Sequence, residues 1–231
     1  MNWYVVEDGG RLTAVDAGLP GFRSSLSSDL GSLGFAAEDL EAVILTHSDA
    51  DHTGLTTALR AAGARVLIHS EDEPKLRRPG PKSGDASPIK VLGQAWRPAL
   101  WRFFGGMMRA GGAKPSKIDD AQTFTHGDVL DVPGSPRVIA TPGHTPGHCA
   151  FLFESRGVLF VGDELCTWNP LTGRLGAQVM PTVFNTSTDQ CFESLAALEG
   201  LHSELVLPGH GEPWREGAAA AVQHARHAGR T

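Results

Sequence analysis

Thr46-His47-Ser48-Asp49-Ala50-Asp51-His52-Thr53-Gly54 places four nitrogen or oxygen metal ligands within six residues. The stretch follows Ala42-Val43-Ile44-Leu45, an apolar run that reads as a buried strand. A strand ending in such a cluster holds its ligands on a loop at its C-terminal edge, where α/β folds build their sites. A single Asp here could serve only to cap the next helix. Two His and two Asp at offsets 0, +2, +4 and +5 exceed what a turn requires.

Working outward, residues 2–7 and 11–15 read as a hairpin across Asp8-Gly9-Gly10. The second strand ends in Asp16-Ala17-Gly18, where Asp16 is either turn chemistry or support for the neighbouring ligands. A helix over 22–34, the strand 41–45, a helix over 53–62 and a strand over 65–69 follow. At Glu71 the character changes. Pro74 to Gly84 is a basic, proline-rich loop, and Gln94 to Met108 is rich in Trp, Phe and Met. This segment reads as a core or dimer-interface helix, as an inserted lid, or as a surface for peripheral membrane contact. As a lid it would offer Trp96, Trp101, Phe104 and Met108 to a hydrophobic substrate.

Short strands are expected over 122–125, 129–132, 137–140, 148–154 and 158–161, with an irregular segment over 165–188. A helix over 189–201 with Asp189 at its N-cap, a strand over 204–207 and a helix over 214–228 close the chain. The strands-then-helices order occurs twice, which suggests two similar halves. No residue-level repeat is visible.

Three later strand ends each deliver one candidate ligand beside glycine: His144, Asp163 and His210. With His47, Asp49, Asp51 and His52 they make seven ligands, more than one tetrahedral ion uses. The set suits two divalent ions that share a bridging carboxylate. It contains no thiolate, so it is not a structural zinc pattern.

The order Asp16-x-Gly, His-x-x-x-Asp-His, Gly-His-Thr-Pro-Gly, Gly-Asp and Gly-His-Gly resembles the metallo-β-lactamase superfamily, and the resemblance runs from residue 13 to residue 211. It implies an α+β fold, an αββα four-layer sandwich with two face-to-face mixed sheets between helices. One such unit over 1–231, with a helical lid or insertion at about 74–120, is the implied organisation. The first metal site would map onto His47, Asp49 and His144, and the second onto Asp51, His52 and His210. Asp163 would bridge them and Asp16 would support them. Asp49 departs from the pattern, which usually has His there. The alternatives are loss of the first ion, retained zinc, or a preference for Fe or Mn.

The implied activity resembles that of glyoxalase II-like and lactonase-like hydrolases. A metal-bound hydroxide would cleave a thioester, lactone or other carboxylic ester of a small molecule, with Asp51 moving the proton. Zinc is the first expectation for both ions. The alternatives are a non-haem iron oxidoreductase of persulfide dioxygenase or flavodiiron type, a phosphodiesterase, and a non-catalytic scaffold.

Composition narrows the classes further. The net charge of −6 offers no basic footprint for nucleic acid. No apolar run of about 18 residues argues for a membrane span, and residues 1–7 lack the features of a signal peptide. The 3 Cys are too sparse for a disulfide framework and fit a reducing cytoplasm. A homodimer through the Trp- and Met-rich segment is a further expectation.

Overall fold

A computed structural model describes residues 1–112 and 116–231. The strands are β1 (Tyr4–Asp8), β2 (Arg11–Val15), β3 (Leu40–Leu45), β4 (Arg65–His69), β5 (Gln122–Phe124), β6 (Arg137–Ala140), β7 (Cys149–Phe153), β8 (Val158–Gly162), β9 (Cys166–Trp168), β10 (Leu175–Gln178) and β11 (Leu205–Pro208). The helices are α1 (Arg23–Ser32), α2 (Thr56–Ala61), α3 (Glu73–Arg77), α4 (Pro88–Leu92), α5 (Pro98–Arg109), α6 (Thr188–Glu199) and α7 (Gly217–Ala228).

One sheet runs β1-β2-β3-β4-β5 and another runs β11-β8-β7-β6. In the first, β1 and β2 are antiparallel and the remaining pairs are parallel. In the second, β11 joins β8 in parallel and the other pairs are antiparallel. Strands β9 and β10 form a separate antiparallel pair.

Alternation along each strand builds the layers. Val15, Ala42, Ile44 and Leu67 face Val138, Phe151, Phe153 and Phe160 in the core between the sheets. The opposite side of the first sheet, with Val43, Leu45 and Val66, packs on Leu26 and Leu30 of α1 and Leu59 of α2. The opposite side of the second, with Leu152, Leu159 and Val206, packs on Leu195 of α6 and Val222 of α7. The result is the α+β, αββα arrangement, with strand ends along one edge.

Several elements depart from the sequence reading. Val129 makes only an isolated bridge to Arg137, so no strand forms over 129–132. Strand β5 belongs to the first sheet, parallel to β4, rather than to an antiparallel second run. Part of the irregular segment is the β9–β10 pair. Ser187, not Asp189, caps α6, because its hydroxyl accepts the Gln190 N–H. Pro98 at the first turn starts α5 four residues later than the apolar pattern suggests, leaving Trp96 outside the helix. The expected insertion at 74–120 holds α3, α4 and α5, and its residues 113–115 lie outside the described residues. No described helix is long and apolar enough to cross a membrane.

Residues near the start of the chain reach the far end of the second sheet. The Asn2 amide donates to the carbonyl oxygens of Pro208 and Gly211 at 3.0 and 2.6 Å, and the Tyr4 hydroxyl donates to Pro208 at 2.7 Å. This clasp fixes the loop that carries His210.

Candidate metal centre

The β3–α2 loop supplies His47, Asp49, Asp51 and His52. The β6–β7 loop supplies His144, and the ends of β8 and β11 supply Asp163 and His210. All seven converge. The ligand atoms of His47, Asp49 and His144 lie within 4.8 Å of one another, as do those of Asp51, His52 and His210. Asp163 stands between the groups. Its Oδ1 is 3.3 Å from His52 Nε2, and its Oδ2 is 3.5 Å from His144 Nε2 and 3.3 Å from His210 Nε2. Two glycines permit the convergence. A Cβ at Gly162 would stand 2.6 Å from Thr46 Oγ1, and one at Gly209 would stand 2.4 Å from Asp163 Oδ1.

Hydrogen bonds behind the cluster set the ring orientations. Buried Asp16, in the left-handed region at φ 59°, accepts the Thr46 N–H at 2.8 Å and pairs with His52 Nδ1 at 2.8 Å. The Thr46 hydroxyl donates to Asp16 at 2.9 Å and meets His47 Nδ1 at 2.9 Å. Asn185 gives its amide N–H to the Met180 carbonyl, so its Oδ1 is left to accept from His144 Nδ1 at 2.9 Å. In each of these rings the proton is drawn to Nδ1, and the Nε2 lone pair faces the centre, the arrangement a metal ligand needs.

The donor set fits metal ions. His47 Nε2, His52 Nε2, Asp163 Oδ1 and His210 Nε2 are buried and have no hydrogen-bond partner among the described residues. Orphaned polar atoms converging on one point are costly unless a cation binds them. Electrostatics agree. Burial opposes charge on His52, yet Asp163 and Asp16 raise its pKa well above the usual imidazole value. Burial likewise opposes charge on His210, and Asp163 and Asp51 overcome it. For His47, burial and the His52 ring push the pKa well below the usual value. The cluster is therefore rich in negative charge that a cation would neutralise.

At Asp49 a second source of positive charge is present. Lys82 forms an ion pair with Asp49 Oδ2 and lies 2.8 Å from both His144 Nε2 and the Phe184 carbonyl. Lys75 Nζ lies 2.9 Å from Asp49 Oδ1. Burial opposes ionisation of Asp49, but Lys82 and His144 hold its pKa well below the usual carboxylate range. The departure from histidine at this position thus coincides with two ammonium groups whose charge a neutral histidine would not balance.

Sequence reasoning missed Asn185 and four further contributors. Lys75 and Lys82 lie in a stretch that reads only as basic loop. Asp72 lies in an acidic run, yet it is buried and joins two ligand loops. Its carboxylate accepts the Ser48 N–H, the Thr145 hydroxyl and the Gly147 N–H, each at 2.8 Å. His148, read as merely the start of a strand, is buried beneath the site. Its Nε2 accepts the Asp163 N–H at 3.0 Å, and its Nδ1 meets Thr141 Oγ1 at 2.8 Å. Glu164, beside Asp163, is fully buried without a hydrogen bond, and burial raises its pKa well above the usual range. Cys149, Cys166 and Cys191 are free and buried.

A cavity of about 440 Å³ opens over the ligands. Asp49, Asp51, His144, Asp163 and His210 form its floor, and Phe103, Phe104, Met107, Val183 and Phe184 its apolar wall. Of the four side chains expected to meet a substrate, only Phe104 lines it. Trp96, Trp101 and Met108 are exposed on the outside. The physical reason is packing: Leu100, Phe103 and Phe104 of α5 lie against Leu171, Val183 and Phe184, which turns the stripe with Met107 inward and Trp101 and Met108 outward.

Comparison with known proteins agrees with this architecture. Among solved structures, a metallo-β-lactamase family protein of Thermus thermophilus superposes with a TM-score of 0.69. It shares 25% identity, over 98% of this chain and 72% of that one. The probable metallo-hydrolase YflN of Bacillus subtilis is 28% identical over 86% of this chain and 75% of its own length. A hydroxyacylglutathione hydrolase of Cupriavidus taiwanensis is 30% identical over 70% of this chain, which spans 48% of that protein. The sequence profile of the metallo-β-lactamase superfamily matches residues 2–210, and the chain belongs to that superfamily.

Proposed function

We propose that the chain is a metal-dependent hydrolase that cleaves a thioester, lactone or other carboxylic ester of a small molecule with an apolar portion. The observation that carries this reading is the set of orphaned, buried ligand atoms beneath an apolar-walled cavity. The relatives named as metallo-hydrolase and hydroxyacylglutathione hydrolase support the same class.

His47, Asp49 and His144 would hold one ion, and Asp51, His52 and His210 the other, with Asp163 shared. Bound divalent ions, zinc in the first instance, would supply Lewis acidity, activating water near neutral pH and polarising the scissile carbonyl. The protein does the remainder. Asp51 lines the cavity and is placed to take the proton of the attacking water and return it to the leaving group. Phe103, Phe104 and Met107 hold the apolar portion and exclude bulk water. Lys75 and Lys82, at the cavity wall, provide positive charge for an anionic substrate group. The free, buried cysteines suit a reducing compartment such as the cytoplasm.

The test is a screen of the metal-loaded chain against acyl thioesters, lactones and aryl esters of increasing chain length. Turnover of one class is expected, abolished by chelation and by Asp51→Ala. Metal bound in full with no turnover of any class would refute the reading. One observation favours a second reading: Asp49 brings oxygen to the first ligand group, which suits iron or manganese. Iron in the purified protein together with oxygen consumption would establish that alternative.

A further inference from the structure

The lid has two faces, and only the inner one serves the cavity. On the outside, Ile89, Leu92, Trp96, Trp101 and Met108 are between 58% and 85% exposed. Five of the nine exposed large apolar side chains found among the described residues therefore fall within twenty positions. They are locally continuous. Ile89 and Leu92 lie one turn apart on α4, and the Ala95 N–H bonds to the Leu92 carbonyl. The Trp101 indole N–H donates to the Ala95 carbonyl at 2.7 Å, bringing Trp101 to the link that carries Trp96. Met108 continues the Trp101 stripe two turns along α5.

The charge of this segment opposes that of the whole chain. Between Ala86 and Gly112 stand Lys90, Arg97, Arg102 and Arg109, with no Asp or Glu, in a protein of net charge −6. Arg102 and Arg109 are exposed, the Arg97 guanidinium lies 4.8 Å over the Trp96 ring, and exposed Lys90 is paired with Asp85 just before the segment at 2.8 Å. Two exposed tryptophans, aliphatic side chains and arginines with no acidic partner in the segment, spread over α4, α5 and the link between them, match a surface made for the headgroup region of a bilayer.

We infer that the outer face from Ile89 to Met108 docks onto an anionic lipid surface. A second copy of the chain fits this face less well. A two-fold contact would set its three arginines against three more, with no acid in the segment to pair them. Nucleic acid fits less well too, because Ile89, Leu92 and Met108 offer phosphates and bases neither charge nor a stacking plane. The same helix carries Phe103, Phe104 and Met107 on its inner side, so docking would bring the cavity wall next to the lipid. The docking surface uses none of the ligand residues, so its test is independent of the reaction proposed above.

The full chain is mixed with vesicles of phosphatidylcholine alone or with added phosphatidylglycerol, and binding is read by flotation and by tryptophan emission. The expected result is flotation with the anionic vesicles only, weakened by salt, with a blue shift of the emission. Trp96→Ser with Trp101→Ser should abolish the shift. Arg97→Glu with Arg102→Glu should weaken binding by roughly tenfold or more. Trp96, Trp101 and Arg102 are exposed and Arg97 is half-buried, and unchanged thermal melts would show that the variants fold. Absence of flotation, or equal binding to neutral and anionic vesicles, would overturn the inference. So would a stable dimer that the same tryptophan variants dissociate, or binding to DNA in place of vesicles.

Discussion

Replacing Asp72 by alanine would show how much of the centre depends on one buried carboxylate. Asp72 ties the Ser48 end of one ligand loop to Thr145 and Gly147 in another, through three hydrogen bonds of 2.8 Å. Ser48 and Gly147 are buried, so Asp72→Ala leaves two backbone N–H groups without partners. Each such group costs about 1–3 kcal/mol, and the Thr145 hydroxyl adds roughly 1 kcal/mol. The sum is about 3–7 kcal/mol, a large share of the roughly 5–15 kcal/mol by which domains are stable. For a chain of this size that lowers Tm by roughly 6–28 °C. Asp72→Asn keeps one acceptor oxygen and should lose less. The assay is urea unfolding in the presence of chelator, so that metal binding does not contribute. Asp72→Ala within about 1 kcal/mol of the wild type would refute the argument, because the loops would then be held by other contacts.

Three further outcomes are expected. Asp16→Ala removes the acceptor of His52 Nδ1 and of Thr46, and should weaken metal affinity by about 10–100-fold, read by calorimetric titration. Lys82→Met releases Asp49 and His144 from their ammonium partner and should raise the number or affinity of ions bound, read by elemental analysis after equilibrium dialysis. His148 should make the fold acid-sensitive. Burial, then the nearby His144, lowers its pKa to about 3, against about 6.5 in the unfolded chain. Between these values the unfolded state binds a proton that the folded state refuses. The His148 contribution is thus complete above about pH 6.5 and declines by about 1.4 kcal/mol per pH unit below it. Urea titrations of wild type and His148→Gln across pH 4–7 would show this slope shrinking in the variant, and parallel curves would contradict it.

What could be read from the sequence was what lies close together along the chain. The His47 to His52 cluster announces itself because an apolar strand feeds it directly, and His144, Asp163 and His210 each end an apolar run beside glycine. Asp72 carries no such mark, since its partners Thr145 and Gly147 lie more than seventy residues away. His148 alternates with its neighbours like any strand residue, and only the fold brings its ring under the Asp163 backbone. Lys75 and Lys82 acquire meaning from Asp49, which the β4–β5 connection brings within reach. The facing of α5 was misread because periodicity puts Leu100, Phe103 and Met107 on one stripe and Trp101, Phe104 and Met108 on another without saying which meets the cavity, and packing of Leu100 with Leu171 and Val183 decides it. Strand β5 was assigned to the wrong sheet because three residues contain no periodicity long enough to tell a parallel partner from an antiparallel one.

The Asn2 and Tyr4 bonds to Pro208 and Gly211 have a bearing on the order of events during synthesis. The first strand emerges from the ribosome some two hundred residues before the loop it must grip. Until then the opening hairpin lacks its far partner, and His210 is missing from the cluster. Metal capture at the complete centre would therefore be a late event, coupled to closure of the whole sandwich. The ligands from His47 to His52 would be presented by a nascent chain that cannot yet enclose an ion, leaving an interval in which the choice of metal depends on what the surrounding cell supplies.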